Sequence, residues 1–263
     1  MRVHNDEALA GLPEDFGQTH RLHAAAPNEV GKQIPRADRD FFFLRRRDPE
    51  AVVQTIAQLC QTRLPKNMGI PATEIQVLSP TRKGETGTKN LNLALQAVLN
   101  PPAAGKKEKR YGDFSFREGD RVMQIRNNYD ILWKNPNGLG AGTGIFNGDI
   151  GVIVKIDYEA ELVTVDFDDK RAEYSFDLLG ELEPAYAMTI HKSQGSEYRA
   201  VILSAFAGSP YLLTRSVLYT AITRARELLI VVGDEEMLAA MVRNDRRQKR
   251  YSGLKLRLEE GTA

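Results

Sequence analysis

The spacing of the apolar residues changes twice along this 263-residue chain, and that change limits the folds it can adopt. Before residue 108 and after residue 185, short apolar runs alternate with helical patterns, which is typical of a parallel α/β sheet. From residue 114 to about residue 183 the apolar residues alternate in twos, which is typical of short strands. About five such strands favour a small barrel. We therefore expect an α/β domain that is divided by an inserted all-β module.

Both α/β segments contain clear strand and helix signals. Asp48 precedes Pro49 and Glu50, a combination that is typical of a helix start because Asp caps the first turn and Pro tolerates the first position. Apolar runs predict strands at 40–44, 74–78, 185–190, 200–205 and 228–232, and helical spacing predicts helices at 48–63, 89–99, 214–225 and 235–243.

The all-β module is expected to have its own core. Two runs place one apolar set on a single face: Ile150, Val152, Val154 and Ile156 in the first, and Val163, Val165 and Phe167 in the second. Residues 171–176 are predicted to pair with the second run across a turn at 168–170. The charged run 106–110 is predicted to be a solvated linker. Residues 135–144 contain four glycines, which indicates a mobile loop.

Charge and cysteine content restrict the protein class. The net charge of +1 does not predict nucleic-acid binding, but it does not exclude a protein that grips nucleic acid through one groove. Cys60 is the only cysteine, so the chain has no internal disulfide and suits a reducing compartment. Its helical spacing favours a small core residue over a nucleophile. No apolar run predicts a signal peptide or a membrane span. We expect a cytoplasmic protein.

A dense polar cluster, His-Lys-Ser-Gln-Gly-Ser-Glu at 191–197, directly follows the apolar run at 185–190. Open α/β sheets place their binding and catalytic residues at strand ends, where polar residues and glycine often follow the strand. Hydroxyls, backbone N–H groups and a helix start can bind phosphate there. The alternative is that these are cap and turn residues of an ordinary domain. A second stretch, Leu-Tyr-Thr-Ala-Ile-Thr-Arg-Ala-Arg at 218–226, precedes the strand at 228–232.

The two stretches resemble motifs V and VI of superfamily 1 helicases, and the first is similar to the RecD/TraA-type branch, superfamily 1B. The resemblance covers about residues 28–258. It implies a RecA-like parallel sheet with helices on both faces, interrupted by an inserted SH3-like barrel. The expected division is a poorly defined lead-in at 1–35, the motor domain at 36–108 and 185–263, and the barrel at 109–184.

The resemblance also assigns roles to individual residues. The expected contacts to single-stranded DNA are Ser79, Thr81, Arg82, Thr189, His191, Lys192 and Ser193. The residues expected near the nucleotide are Gln194, Gly195, Glu197, Arg224 and Arg226. Arg224 is the expected arginine finger, because a guanidinium is planar, permanently charged and able to bind two phosphate oxygens. We expect it near the open strand ends around Ile190. The alternative for Arg224 is a helix-end arginine that neutralises the helix dipole.

The phosphate-binding half of an ATPase is not recognisable in this sequence. Residues 84–89, Gly-Glu-Thr-Gly-Thr-Lys, lack the G-x-x-x-x-G-K-[ST] spacing, and the four histidines form no metal-binding pattern. The resemblance therefore implies the carboxy-terminal part of a helicase that moves 5′ to 3′ on single-stranded DNA. ATP and Mg²⁺ would be bound mainly by a missing N-terminal motor domain of the same protein. Alone, the chain is expected to be inactive, with no resident metal.

Two further interpretations remain open. One is a non-catalytic nucleic-acid-binding or assembly module that has a motor-like fold. The other, a self-contained nucleotide hydrolase, is disfavoured by the missing phosphate loop. Within the barrel, Tyr129 and Trp133 either pack the small core or form a DNA-facing arm together with nearby basic residues. The sequence leaves the pathway and the oligomeric state open.

Overall fold

The structure is a computed structural model that describes residues 40–138, 140–206 and 212–245. The predicted lead-in at 1–35 lies outside these residues. In chain order the strands are β1 (Phe41–Arg45), β2 (Ile75–Ser79), β3 (Glu108–Tyr111), β4 (Phe114–Arg117), β5 (Arg121–Gln124), β6 (Asn128–Lys134), β7 (Ala141–Ile145), β8 (Ile150–Asp157), β9 (Leu162–Phe167), β10 (Lys170–Ser175), β11 (Leu182–Pro184), β12 (Ala187–Thr189), β13 (Tyr198–Ala205) and β14 (Ala225–Gly233). The helices are α1 (Pro49–Gln58), α2 (Leu64–Met68), α3 (Thr88–Leu99), α4 (Arg215–Ile222) and α5 (Glu235–Arg243).

A parallel sheet of order β1-β14-β13-β2-β12 carries helices on both faces. Alternate strand residues point to opposite sides, so each strand contributes to two cores. Ile202 and Ile230 pack with residues of α1 and α3 on one side. Val201 and Leu229 pack with residues of α4 and α5 on the other side. The α/β fold with helices on both faces is therefore confirmed.

The first helix begins as the sequence predicts and ends later. The Asp48 carboxylate accepts a hydrogen bond from the Ala51 N–H at 2.7 Å, which caps α1. The chain continues through a π-helical turn, Leu59–Arg63, into α2. Pro65 lacks an N–H group, so it cannot continue regular helical hydrogen bonding, and the wider turn accommodates it. Gly69, with a φ of 63°, ends the helix in the left-handed conformation.

Cys60 lies in this π-helical turn and is a buried core residue, as its spacing predicts. Burial raises the pKa of its thiol to about 12. At about pH 8 only about one native thiol in 10⁴ is then ionised, so we expect no reaction with a thiol-specific reagent until the chain unfolds. Absorbance during labelling with Ellman's reagent, with and without guanidinium, measures this. Native labelling at the rate of an unfolded cysteine would contradict the assignment.

The inserted segment forms a curled antiparallel sheet of order β11-β5-β8-β9-β10-β6-β7, with a β3–β4 hairpin beside it. Val163, Val165 and Phe167 lie together in its core, which confirms the second alternating run. Strand β10 pairs with β9 so that Lys170 lies opposite Phe167. The turn therefore consists of the two residues Asp168 and Asp169. The division of the parallel sheet by an all-β insertion is confirmed.

The four residues of the first alternating run, Ile150, Val152, Val154 and Ile156, do not share one face as predicted. Val152 and Val154 are 41% and 42% exposed, whereas Ile153 and Ile156 are completely buried. The pairing of β8 with β9 shifts between Ile153 and Lys155, which marks a bulge. A bulge adds one residue to one strand and so changes the phase of the alternation, which a fixed period of two cannot reproduce.

Two segments predicted as irregular form strands in part. The charged run 106–110 contributes β3, where the Glu108 carboxylate forms an ion pair with Arg117 of β4 at 2.8 Å. The glycine-rich segment 135–144 contributes most of β7, which pairs with β6. In both cases strand pairing satisfies the backbone groups, and this outweighs the local preference for a turn.

The two sheets are joined by a buried carboxylate. Asp120 lies just before β5, is completely buried, and accepts four hydrogen bonds. The donors are Gln96 Nε2 at 2.6 Å, Asn100 Nδ2 at 2.7 Å, the Arg117 N–H at 2.7 Å and the Tyr186 hydroxyl at 2.9 Å. Desolvation raises the pKa of Asp120, and these four hydrogen bonds oppose the rise. Asp120 thereby links α3, the insertion and the returning chain.

Candidate nucleic-acid and nucleotide site

The carboxyl edge of the parallel sheet collects the residues predicted to contact DNA. Ser79 and Thr189 end β2 and β12 and lie opposite each other in the register of the two strands. The segments that follow them carry Arg82 on one side and His191 and Lys192 on the other. Parallel strands end at the same edge, so two stretches far apart in sequence meet there. The predicted set is therefore brought together by the fold.

Two cations of this edge share one carboxylate. Glu183 of β11 accepts from Arg82 through one oxygen at 2.5 Å and from Lys192 through the other at 2.6 Å. The Arg82 side chain is 68% exposed and the Lys192 side chain 33% exposed, so both keep solvent-facing donors. His191 is exposed beside them. The edge therefore presents a positively charged surface with a partly neutralising acid.

Ser79 and Ser193 do not meet the expectation of a direct DNA contact through their hydroxyls. Ser193 is completely buried, and its hydroxyl donates to the Ile190 carbonyl at 2.7 Å. Ser79 is equally buried, donates to the Thr86 carbonyl at 3.0 Å and accepts from the Thr81 N–H at 3.2 Å. Both hydroxyls stabilise their own loops, as polar residues at strand ends often do.

The segment after β12 crosses the sheet from one edge to the other. It forms a 3₁₀ turn, Ile190–Ser193, that packs against α4, and it then enters β13 at Tyr198. Gly195 has a φ of 91°, which favours glycine at this turn, and open space surrounds the position of a Cβ. Gln194, Gly195 and Glu197 are exposed along this crossing. The predicted nucleotide contacts therefore lie between the two edges.

Arg224 lies at the amino edge of the strands and not, as expected, near the strand ends around Ile190. It directly precedes β14, and its carbonyl accepts from the N–H of Tyr198, the first residue of β13, at 2.8 Å. The physical reason is the direction of α4, which runs antiparallel to the strands and returns the chain to their amino ends. The prediction of its location is thus corrected.

The Arg224 guanidinium binds neutral oxygens. It donates to the Ser196 carbonyl at 2.9 Å, to the Thr223 hydroxyl at 3.2 Å and to the Thr220 carbonyl at 3.3 Å. Within the described part of the chain, these contacts of the guanidinium include no carboxylate. The bond to Thr220 also fits the alternative of a helix-end arginine that binds the last carbonyls of α4. Arg226 is exposed two residues further on.

Sequence reasoning missed two residues that position the site, one at the carboxyl edge and one beside the first residue of β12. Glu183 had no signal of its own, because its partners are distant in sequence. Asn92 of α3 pairs with the outer side of β12, donating to the Ala187 carbonyl and accepting from its N–H, both at 2.8 Å. A signal for Asn92 did exist: Asn92, Gln96 and Asn100 are amides at spacings of four and therefore share one helix face.

The aromatic residues of the insertion divide between the two interpretations. Trp133 is half-buried and packs against the core of the insertion, with the Lys170 ammonium 5.5 Å from its ring centroid. Tyr129 is 66% exposed and contacts the Phe146 ring edge to face at 5.6 Å. A DNA-facing role for this surface stays a prediction.

Membrane-spanning and metal-binding features can be assessed for the described residues. None of their helices is long and apolar enough to cross a membrane. Their His, Cys, Asp and Glu side chains contain no group of three placed to hold a metal ion.

Two family models match the chain. The SH3 domain of ATP-dependent RecD-like DNA helicases matches residues 91–167, and the UvrD-like helicase C-terminal domain matches residues 184–232. The first match covers most of the antiparallel insertion. The second covers β12, the crossing segment, α4 and most of β14.

Individual relatives agree with these matches. The ATP-dependent RecD2 DNA helicase of Deinococcus radiodurans is 36% identical over 64% of this chain and 21% of its own length. The RecBCD enzyme subunit RecD of Mycobacterium tuberculosis is 38% identical over 71% of this chain and 29% of its own. A solved structure of a Bacteroides Pif1 helicase covers 80% of this chain and 49% of that chain, with 16% identity and a TM-score of 0.40. The chain thus spans less than a third of these two curated relatives, and the parts that match are similar to the SH3 domain of RecD-like DNA helicases and to the C-terminal domain of UvrD-like helicases.

Proposed function

We propose that this chain is the second motor domain, with its inserted SH3-like domain, of an ATP-dependent DNA helicase that moves 5′ to 3′ on single-stranded DNA. The proposed boundaries are 36–108 and 185–263 for the motor domain and 109–184 for the insertion, with a lead-in at 1–35. A preceding motor domain of the same protein would supply the phosphate loop and the Mg²⁺ ligands. The related RecD2 protein is named an ATP-dependent DNA helicase.

One observation carries the proposal: the crossing segment connects a cationic edge with the edge that holds Arg224. At one end Lys192 lies beside Arg82, joined through Glu183. At the other end the Ser196 carbonyl binds the Arg224 guanidinium. A short segment in contact with both edges can transmit a change at the nucleotide to the DNA-binding side, because packed elements move as units.

The amino edge suits the phosphates of a nucleotide. Among the described residues, the Arg224 guanidinium donates to neutral oxygens, which leaves its charge available to a phosphate. Bound ATP supplies the phosphoryl group whose transfer to water drives movement. Arg224 would stabilise the charge on that group, and Arg226, Gln194, Gly195 and Glu197 would line the nucleotide. Mg²⁺ would be held mainly by the preceding motor domain.

The carboxyl edge suits the DNA backbone, where Thr81, Thr189 and His191 would join Arg82 and Lys192. We expect the chain to bind an oligo(dT) strand with an affinity that falls as salt rises, because each phosphate contact releases counterions. Replacing Arg82 and Lys192 together by glutamine should make the plot of log affinity against log salt shallower by about 1.4, or about 0.7 for each lost contact. Fluorescence anisotropy at several salt concentrations measures this slope.

Lys155→Gln is the matched control, because Lys155 also forms an exposed lysine–carboxylate pair, with Asp157 at 2.8 Å, but lies in the insertion. The control should keep the slope of the unmodified chain. An unchanged slope in the Arg82 and Lys192 double variant would remove the carboxyl edge from the DNA path. Salt-dependent DNA binding by a complete protein that hydrolyses no ATP would instead favour the alternative, a non-catalytic nucleic-acid-binding module.

A further inference from the structure

The acid that bridges the two cations of the carboxyl edge has a role that the proposed function does not assign. Glu183 uses both carboxylate oxygens, one for Arg82 and one for Lys192. Its own side chain is only 23% exposed, so it sits beneath the two cations and not beside them in open solvent. A residue that served only to increase solubility would have no need of this bidentate position.

The arrangement resembles the binding of a phosphodiester. A carboxylate and the phosphate of a nucleic-acid strand both present two oxygens that share one negative charge. Glu183 therefore offers Arg82 and Lys192 the same kind of acceptor that a phosphate of a DNA strand would offer. The carboxylate removes one of the two positive charges, so the three groups together carry +1 instead of +2.

We propose that Glu183 competes with the phosphates of single-stranded DNA for Arg82 and Lys192, and so lowers the DNA affinity of this edge. The inference rests on the proposed function, because it assumes that the two cations lie on the DNA path. Partly exposed ion pairs are weak, so a strand can displace the carboxylate at little cost. The result is an edge that binds DNA but also releases it, as a translocating protein requires.

Competition for the two cations would also affect the contact between the insertion and the parallel sheet. Glu183 belongs to β11, which pairs with β5 of the antiparallel sheet, whereas Arg82 and Lys192 belong to loops of the parallel sheet. The two ion pairs therefore connect the insertion to both loops. When a DNA phosphate binds Arg82 and Lys192 in place of Glu183, both ion pairs break. The buried hydrogen bonds that Asp120 accepts remain. DNA binding would thus loosen one of the contacts between the two parts of the chain.

The test is the affinity of the Glu183→Gln variant for oligo(dT), measured by fluorescence anisotropy. Glutamine keeps the length of the side chain and removes its charge. We expect about 5–10-fold tighter binding at about 50 mM salt, with the gain shrinking as salt screens the removed charge. The same substitution in the Arg82→Gln/Lys192→Gln background should give no gain, because the cations for which Glu183 competes are absent.

Asp157→Asn is the control for net charge, since it also removes one half-buried acid paired with a lysine. It should leave the DNA affinity unchanged. Weaker or unaltered binding by Glu183→Gln, an equal gain in Asp157→Asn, or a gain that persists without Arg82 and Lys192 would each overturn the competition. If the unmodified chain and all variants fail to bind DNA, the proposed function fails, and the inference fails with it.

Discussion

Replacing Arg224 by alanine is expected to lower the kcat of DNA-stimulated ATP hydrolysis by about 10³-fold in the protein that carries both motor domains. The physical reason is that, among the residues that the structure describes, the guanidinium donates to neutral oxygens and not to a carboxylate. Such a group stabilises negative charge that develops on a transferring phosphoryl group and has little effect on nucleotide binding in the ground state. Steady-state ATPase assays with saturating single-stranded DNA measure kcat. The dissociation constant of ATP measures binding in the ground state.

Two variants control for indirect effects of this substitution. Arg215→Ala removes an exposed arginine from the other end of α4, where it bonds to the Val242 carbonyl, and should leave kcat unchanged. Arg224→Lys keeps the charge but loses the planar fork, so it should recover only part of the loss. If Arg224→Ala hydrolyses ATP within about threefold of the unmodified protein, Arg224 is a helix-end residue and the alternative interpretation holds.

Replacing Asp120 by alanine is expected to lower the free energy of unfolding by about 3–5 kcal/mol, the largest stability effect that we predict for a single residue. The substitution leaves Gln96, Asn100, the Arg117 N–H and Tyr186 without their shared acceptor. These groups lie at the junction of the two sheets, away from bulk solvent, so each loses a hydrogen bond that it made in the native structure. Urea unfolding, followed by far-ultraviolet circular dichroism, gives the free energy.

Asp113→Asn is the comparison for this prediction. Asp113 also accepts from a side chain, Lys89 at 2.6 Å, but both partners are exposed, so its loss should leave the unfolding midpoint unchanged. A change of less than about 1 kcal/mol in Asp120→Ala would mean that the four donors find other partners. In that case Asp120 would not hold the insertion to the parallel sheet.

Local rules predicted most of the elements. Asp48 and Pro49 marked the start of α1, and the helices at α3 and α5 were predicted to within one residue at each end. These successes rest on capping and periodicity, which depend on neighbours within a few residues. The prediction for α4 ran three residues too far, because Ala225 already belongs to β14. Thr223 and Arg224 form the connection between α4 and β14, and helical spacing alone does not show where such a connection begins.

The sequence predicted the site residues less accurately than the secondary-structure elements. The sequence placed Arg82 and Lys192 at strand ends, and the shared edge of parallel strands brings them together. It also predicted DNA contacts for Ser79 and Ser193, but the fold buries both hydroxyls and each donates to a backbone carbonyl. The path of a loop decides whether a serine hydroxyl can reach a phosphate or bonds to the backbone of its own loop. No local sequence pattern encodes that path.

By itself the sequence determined the alternation of strand and helix, the position of the all-β insertion, and the two stretches that carry the helicase resemblance. Only the tertiary structure decided that Arg224 lies at the amino edge, that Val152 and Val154 face solvent, and that Glu183 joins Arg82 to Lys192. Caps and periodicity act over a few residues and can be seen in any short window of the chain. Edges, bulges and shared carboxylates depend on residues that lie far apart in the chain, and these meet only when the sheets assemble.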